Sequence, residues 1–558
     1  MENRFADFLN SYQEQFLSAG RELDKEEIPP LTEELFSLFE RTGNRLEYEK
    51  VYFKRRKFLT VYAMLSIIYG EARHISRLEE IIEAICREEC WALPAHVNRS
   101  DRRWKITIDL FAAETAFSLA EIISLLESKL SATIREKARS EVFRRVLDPF
   151  AESSFPYSPW ETSQMNWCAV CCGSVGGAAI YLMQKDRARL DTLLKRINSS
   201  IMNYIKGFGE DGACLEGLGY YTYGMSFFSA YADLVYSYSE GKVDLFEKEK
   251  LKNIALFQQK CFLTGSITLS FSDSGQDEKY RLGLTAYLSR RYPEVEFPDI
   301  SLAADLESDN CYRYIILSRD YFWTKQHTDA PCTKSCWHTV LPHAQWSVCR
   351  SDNGCVLAAK GGHNNEPHNH NDIGSFIYAC DGESILVDIG AGEYTKDYFN
   401  ENRYQNICCR SLGHNVPLID GKEQLSGEQY RASRFLSEGN GKTEIDIEAA
   451  YGLEEGDKFT RSFFLDKGSG VCTVTDSFRL SGKVTENLVT LHRPTVNATG
   501  FTIETEKNKF TIDILNGKDF NIIAKTYTDH YGVVKKIWLM QWEALEELTG
   551  LAIKKTVK

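Results

Sequence analysis

The sequence predicts an α+β multidomain protein, with a helical first part and an antiparallel β second part. Its 558 residues exceed what a single core usually organises. Apolar residues recur at helical spacing up to about residue 265 and alternate at strand spacing from about 345. Between these regions, within 320–345, Thr328-Asp-Ala-Pro-Cys-Thr-Lys-Ser breaks all periodicity. The expected domains are therefore 1–335, helical, and 336–558, antiparallel sheet.

In chain order, Thr32-Glu-Glu-Leu-Phe-Ser-Leu-Phe-Glu opens the helical pattern, and Asp109-Leu-Phe-Ala-Ala-Glu-Thr-Ala-Phe continues it. The spacing predicts further helices over 46–70, 76–89, 131–147, 165–184, 187–207, 222–239 and 246–262. Serial helix pairs of this kind are compatible with a toroid. Gly354-Cys-Val-Leu-Ala-Ala, Lys442-Thr-Glu-Ile-Asp-Ile-Glu-Ala and Val471-Cys-Thr-Val-Thr-Asp-Ser-Phe alternate and are punctuated by Gly, Asn and Asp turns, which reads as antiparallel sheet.

With 43% apolar and 12% aromatic residues the chain can bury large cores, which excludes disorder. The N-terminus, Met-Glu-Asn-Arg-Phe-Ala-Asp-Phe, has no basic segment leading into an apolar stretch, and no run reaches membrane-spanning length. A cytoplasmic protein with no membrane partner is the expectation. Sixteen cysteines, with adjacent pairs at Cys171-Cys172 and Cys408-Cys409, suit reduced thiols rather than a disulfide framework. The net charge of −13 argues against nucleic-acid partners. Local basic clusters remain at Lys54-Arg55-Arg56-Lys57 and from Arg99 to Lys105, each read first as a solvated helix face.

The densest chemistry lies in Gly361-Gly-His-Asn-Asn-Glu-Pro-His-Asn-His-Asn-Asp372, which holds three of the eleven histidines. His368 and His370 share a face only if the chain there is extended. Asp388 follows in an apolar run and His414 in Gly-His-Asn-Val. Neutral imidazoles with one or two carboxylates suit one divalent first-row metal, zinc ahead of manganese. A second, unligated histidine can move protons near neutral pH. Two further clusters lie in the helical part. Asn166-Trp167 opens a small-residue helix, where Asn166 can serve as an N-cap. Glu216-Gly-Leu-Gly-Tyr220-Tyr-Thr-Tyr223 opens another, placing Tyr220 and Tyr223 at i and i+3 on one face.

In combination these segments resemble the heparinase II/III-like polysaccharide lyases. The match runs in order through Asn-Trp at 166–167, Glu-Gly-x-Gly-Tyr at 216–220, His-x-His-x-Asp at 368–372, the strand with Asp388, and Gly-His-Asn at 413–415. The resemblance implies an N-terminal incomplete (α/α) toroid, a C-terminal antiparallel β-sandwich and a substrate cleft. It implies that Asn166 neutralises a substrate carboxylate, that Tyr220 and His368 are catalytic, and that His370, Asp388 and His414 bind the metal. Tyr223 is a rival for the catalytic tyrosine. Trp91 and His96 resemble a cleft-lining segment, and Trp167, Glu216, His363, Asn364, Glu366, Arg403 and Arg410 complete the expected substrate-binding set. The implied activity is β-elimination on uronate-containing acidic glycans, glycosaminoglycans or their oligosaccharides, giving 4,5-unsaturated products. The acidic saccharide is the expected partner, and a homodimer is compatible. A metal-dependent glycan hydrolase and a non-catalytic carbohydrate-binding protein are the alternatives.

Overall fold

A computed structural model describes residues 5–327 and 337–557. The expected boundary at 335/336 and the segment from Thr328 to Ser335 lie outside the described residues. Two compact units form, and they interleave in sequence. One comprises Met1–Phe208, Tyr221–Ala255 and Lys279–Thr333; the other comprises Gly209–Tyr220, Leu256–Glu278 and Lys334–Lys558.

The first unit is an incomplete (α/α) toroid of consecutive helix pairs. Leu110–Leu125 and Asn166–Leu182 are its most deeply buried members: every residue from Leu110 to Ile123 is buried, and so is all of Asn166–Leu182 except Trp167 and Tyr181. The small residues of the second helix admit close neighbours. A Cβ on Gly176 would lie 2.3 Å from the Tyr231 ring, and one on Gly177 2.4 Å from the Phe117 ring. Arg187–Lys206, by contrast, buries only the stripe running from Leu190 through Leu194 and Ile197 to Ile205. The expected helix over 246–262 is broken into Glu249–Ala255 and Phe257–Cys261 before a short strand, Phe262–Thr264. The basic run Lys54–Lys57 is not a solvated face throughout. Arg55 and Arg56 turn inward, and both bind the buried Glu88 at 2.7–2.8 Å. Asn166 is not an N-cap either; Met165 holds that position, and Asn166 is the first helical residue.

The second unit is a β-sandwich. A five-stranded antiparallel meander runs through His338–Leu341, Trp346–Arg350, Cys355–Lys360, Phe376–Cys380 and Glu383–Leu386. An eight-stranded antiparallel sheet contains Lys458–Leu465 beside Cys472–Arg479. Leu357, Phe376 and Tyr378 from the first share one core with Phe459, Phe463, Val474 and Phe510 from the second. A four-stranded sheet built on Gly517–Thr528, Val534–Ala544 and Val484–Thr490 carries a second core, in which Val489 and Leu539 pack under Tyr398, Cys408 and Cys409. All described cysteines are free.

One inward position on Lys458–Leu465 is charged. Arg461 faces its cross-strand partner Asp476. Its guanidinium forks onto that carboxylate at 2.8 Å, reaches Glu486 at 2.6 Å, and donates to the carbonyls of Gly374 at 3.1 Å and Asn415 at 2.8 Å. Sheet and loops are thereby joined at one cation. Arg461→Leu strands Asp476 without its counter-charge, so urea unfolding should show a loss of roughly 3–5 kcal/mol, the usual cost of breaking a buried pair from one side.

Candidate active site and metal centre

Every group described in the next three paragraphs belongs to the second unit. After a two-residue strand at His363–Asn364 the histidine-rich segment is a loop, and His368 adopts φ +57°, the left-handed region that non-glycine residues rarely occupy. His368 and His370 therefore do not share a strand face. They converge because one carboxylate lies between them. Asp273 Oδ2 is 2.7 Å from His368 Nδ1 and Oδ1 is 2.9 Å from His370 Nε2. Tyr398 donates its hydroxyl to Oδ1 at 2.5 Å and Tyr394 donates to Oδ2 at 2.8 Å, with Arg403 at 3.5 Å. Burial alone would push the Asp273 carboxyl up; the hydrogen bonds and charge of the two histidines outweigh it and hold the group well below the usual carboxylate range.

Tyr220 lies in the first turn of Leu218–Tyr238. Its ring stacks on His368 with centroids 4.2 Å apart, and its hydroxyl is 2.7 Å from that of Tyr394. Because Tyr394 donates its single proton to Asp273, it must accept the proton of Tyr220. His368 Nε2 takes no hydrogen bond within the protein among the described residues; the nearest carboxylate oxygen, on Glu216, is 3.7 Å away. A phenol and an uncommitted imidazole nitrogen thus stand side by side.

Behind them His370, Asp372, Asp388 and His414 are all buried, with one potential ligand atom from each within 4.8 Å of the others. Asp372 is an addition to the expected set of His370, Asp388 and His414. The donors fit a divalent ion. His370 Nδ1 and Asp372 Oδ2 are buried without a hydrogen-bond partner. The opposite nitrogens are already used, His370 Nε2 on Asp273 and His414 Nε2 on the Cys408 carbonyl at 2.9 Å, which is how metal-binding imidazoles are ordinarily oriented. Burial keeps His370 toward its neutral, ligating form. Asp388 Oδ2 lies 3.2 Å from His414 Nδ1, the nitrogen left for the ion, and Asp372 Oδ1 is neutralised by the buried Lys360 at 2.6 Å.

The other expected residues of this unit have different tasks. Arg403 donates to the carbonyls of Asn369 and Tyr398, both at 3.0 Å, as well as lying beside Asp273, and Arg410 forks onto Glu423. Asn364 is buried and donates to Gln424 and the Leu425 carbonyl. Glu366 is buried beside Lys360 at 3.6 Å, and burial pushes its carboxyl up to about 7. His363 is half-buried and accepts from the Asn365 N–H.

In the first unit, Tyr223 donates its hydroxyl to the buried Glu114 under the Arg313 guanidinium, which lies 4.1 Å from its ring centroid. The i, i+3 partners on one helix thus serve different units. Trp91 is fully buried and donates to the Ile85 carbonyl, a core position rather than a surface one. His96 is held by Asp109 at 2.8 Å and meets the Trp167 ring edge-on at 4.9 Å. Asn166 is buried at the N-terminus of its helix. Sequence reasoning missed Asp273, Tyr394 and Tyr398. Asp273 sits in Ser270-Phe-Ser-Asp-Ser-Gly, indistinguishable from a polar turn, and only the spacing of Tyr394 shortly after Asp388 offered a signal.

Residues 338–542 match the family described as Heparinase II/III-like, C-terminal. No curated protein sequence matches the chain. Among solved structures, a mutant of the heparan sulfate lyase HepC from Pedobacter heparinus aligns with TM-score 0.63 at 14% identity, covering 99% of this chain and 88% of that one. A structure of heparinase III aligns at 0.65 and 14%, covering 92% and 78%. Xanthan lyase from Paenibacillus aligns at 0.56 and 10%, covering 99% and 58%. At these identities the likeness is one of fold. Among the described residues no helix is long and apolar enough to cross a membrane.

The donor set generates a direct expectation. Metal analysis of the purified protein should find about one divalent ion per chain, and His370→Ala should lower both occupancy and the thermal midpoint, since an ion bound only by the native state stabilises it.

Proposed function

We propose that this chain, whose residues 338–542 form a heparinase II/III-like C-terminal domain, is a polysaccharide lyase that cleaves uronate-containing acidic glycans by β-elimination. The observation that carries the reading is the Tyr220–His368 pair: a phenol stacked on an imidazole whose Nε2 is uncommitted, both tied to one buried carboxylate system.

Elimination removes the proton at C5 of the uronate, forms the C4–C5 double bond, breaks the C4–O4 bond and protonates the departing O4. His368 Nε2 is the base where the two protons lie on opposite faces, and Tyr220 is the acid that protonates O4. Where they lie on one face, Tyr220 serves in both steps. Once Tyr220 has given up its proton, the phenolate oxygen lies 2.7 Å from the Tyr394 hydroxyl, whose proton can turn from Asp273 toward it. A hydrogen bond to the charged form favours that form, which is what a phenol needs to work near neutral pH. Asn166 is assigned to the uronate carboxylate, where an amide hydrogen bond disperses the charge of the enolate; its place at a helix N-terminus suits an anion. The metal we assign is zinc ahead of manganese, on two imidazoles and two carboxylates. When bound, it supplies the charge that holds those four side chains in one arrangement.

The test is spectroscopic. Incubated with heparan, chondroitin, hyaluronan and alginate and their oligosaccharides, the protein should generate the ultraviolet absorbance of a double bond conjugated to the uronate carboxylate. Saturated products would instead identify a hydrolase, and binding without products a carbohydrate-binding protein. Tyr220→Phe should lower turnover by at least about a hundredfold, the usual contribution of a general acid–base group, with little change in KM. Tyr223→Phe should leave turnover within a few-fold, because that phenol is engaged with Glu114.

A further inference from the structure

We propose that Asp273 is a positioning residue through which the metal centre sets the orientation and tautomer of His368; the proposal deepens the lyase reading and rests on it for the role of His368. An ionised carboxylate only accepts hydrogen bonds. With Oδ2 against His368 Nδ1 at 2.7 Å and Oδ1 against His370 Nε2 at 2.9 Å, both imidazoles must donate. That single requirement fixes two tautomers. It leaves His368 with its lone pair on Nε2, the nitrogen open to a substrate, and His370 with its lone pair on Nδ1, the buried partnerless atom in the metal cluster.

The carboxylate is itself immobilised. Its side chain is fully buried and takes the Tyr398 and Tyr394 hydroxyls as well. The segment that carries it touches both centres, largely through its side chains. Ser272, at φ +64°, donates its hydroxyl to the Leu215 carbonyl at 2.8 Å, next to Glu216. Ser270 and Gln276 each donate to the carbonyl of the candidate ligand Asp388 at 3.0 Å. A Cβ on Gly390 would lie 2.1 Å from the Ser274 carbonyl, so the irregular chain after Asp388 and the Asp273 loop are in backbone contact. His368 has little local reason to keep its place, since its left-handed φ is disfavoured for a non-glycine residue. Its anchor is Asp273. Occupancy of the metal site therefore governs turnover by positioning the base, although the ion has no contact with substrate in this scheme.

The test uses the full chain, loaded with zinc or stripped by a chelator, with 15N-labelled histidines. In the wild type, zinc should change the imidazole nitrogen shifts of His368, assigned by their loss in His368→Ala, although His368 is not a ligand. In Asp273→Asn the amide can accept from only one imidazole, so zinc should leave the His368 signals unchanged while the protein still unfolds cooperatively. Zinc affinity should fall about 10–100-fold, the usual effect of removing a partner behind a ligand. Turnover should fall at least as far with KM within about twofold. Tyr398→Phe removes one hydrogen bond to the carboxylate and keeps the proposal testable if Asp273→Asn does not fold. It should lower kcat several-fold and weaken the response of His368 to zinc. A His368 signal that ignores zinc in the wild type, or that responds equally in the folded variants, overturns the coupling. The NMR readout needs no substrate, so failure to find an unsaturated product would count against the lyase reading while leaving the coupling decided on its own data.

Discussion

A carboxylate buried away from water must be met by hydrogen bonds or an opposite charge, and this constraint organises the second unit. Asp273 is satisfied by two imidazoles, two phenols and a nearby guanidinium. Asp476 is satisfied by Arg461, and Asp372 by Lys360. The partners of Asp273 come from two other stretches of chain, one holding His368 and His370 and one running from Tyr394 to Arg403, so satisfying the charge and folding those loops are the same event. Loops that carry reacting groups are seldom stiff by themselves. Here the rigidity is supplied from beneath.

The same constraint accounts for the division of labour among the histidines. His414 is fully buried, with Nε2 donating to the Cys408 carbonyl and Nδ1 facing Asp388 inside the cluster. His370 is fully buried and keeps one nitrogen for the cluster. His368, only two residues away, keeps a partly exposed edge beside Tyr220. Identical side chains acquire distinct chemistry from their depth and from the atom that each neighbour occupies.

Much of this was legible in the sequence, because it rests on local patterns. The change from helical to strand periodicity separates the toroid from the sandwich, and the density of His, Asn and Asp at 361–372 marks the site. What was not legible depends on long-range return of the chain. Segments 209–220 and 256–278 cluster with the C-terminal sheets although they lie in the helical part, and nothing in Ser270-Phe-Ser-Asp-Ser-Gly distinguishes Asp273 from a solvated turn residue. Arg403 carries a second task that its sequence setting does not show. A basic residue between candidate ligands invites a substrate anion, but its guanidinium satisfies two backbone carbonyls and lies beside Asp273. The basic run at Lys54–Lys57 misleads similarly, since burial of Glu88 draws two of its members inward.

The interleaving of the two units bears on how the protein matures. Asp388 and His414 are 26 residues apart, so this half of the candidate ligand cluster gathers across a short loop, whereas the Tyr220–Tyr394 bond closes one of 174. The entropy of closing the longer loop exceeds that of the shorter by only about 1.7 kcal/mol, so the difference lies less in energy than in sequence of events. On a ribosome, Glu216, Tyr220 and Asp273 emerge well before the sheets that receive them, and must wait for a surface on which to dock. A fragment restricted to residues 338–542 would retain the candidate ligands yet lack the carboxylate behind His370 and the phenol beside His368. The segment recognised as a domain by its sequence is thus smaller than the unit that assembles the Tyr220–His368 pair and its carboxylate.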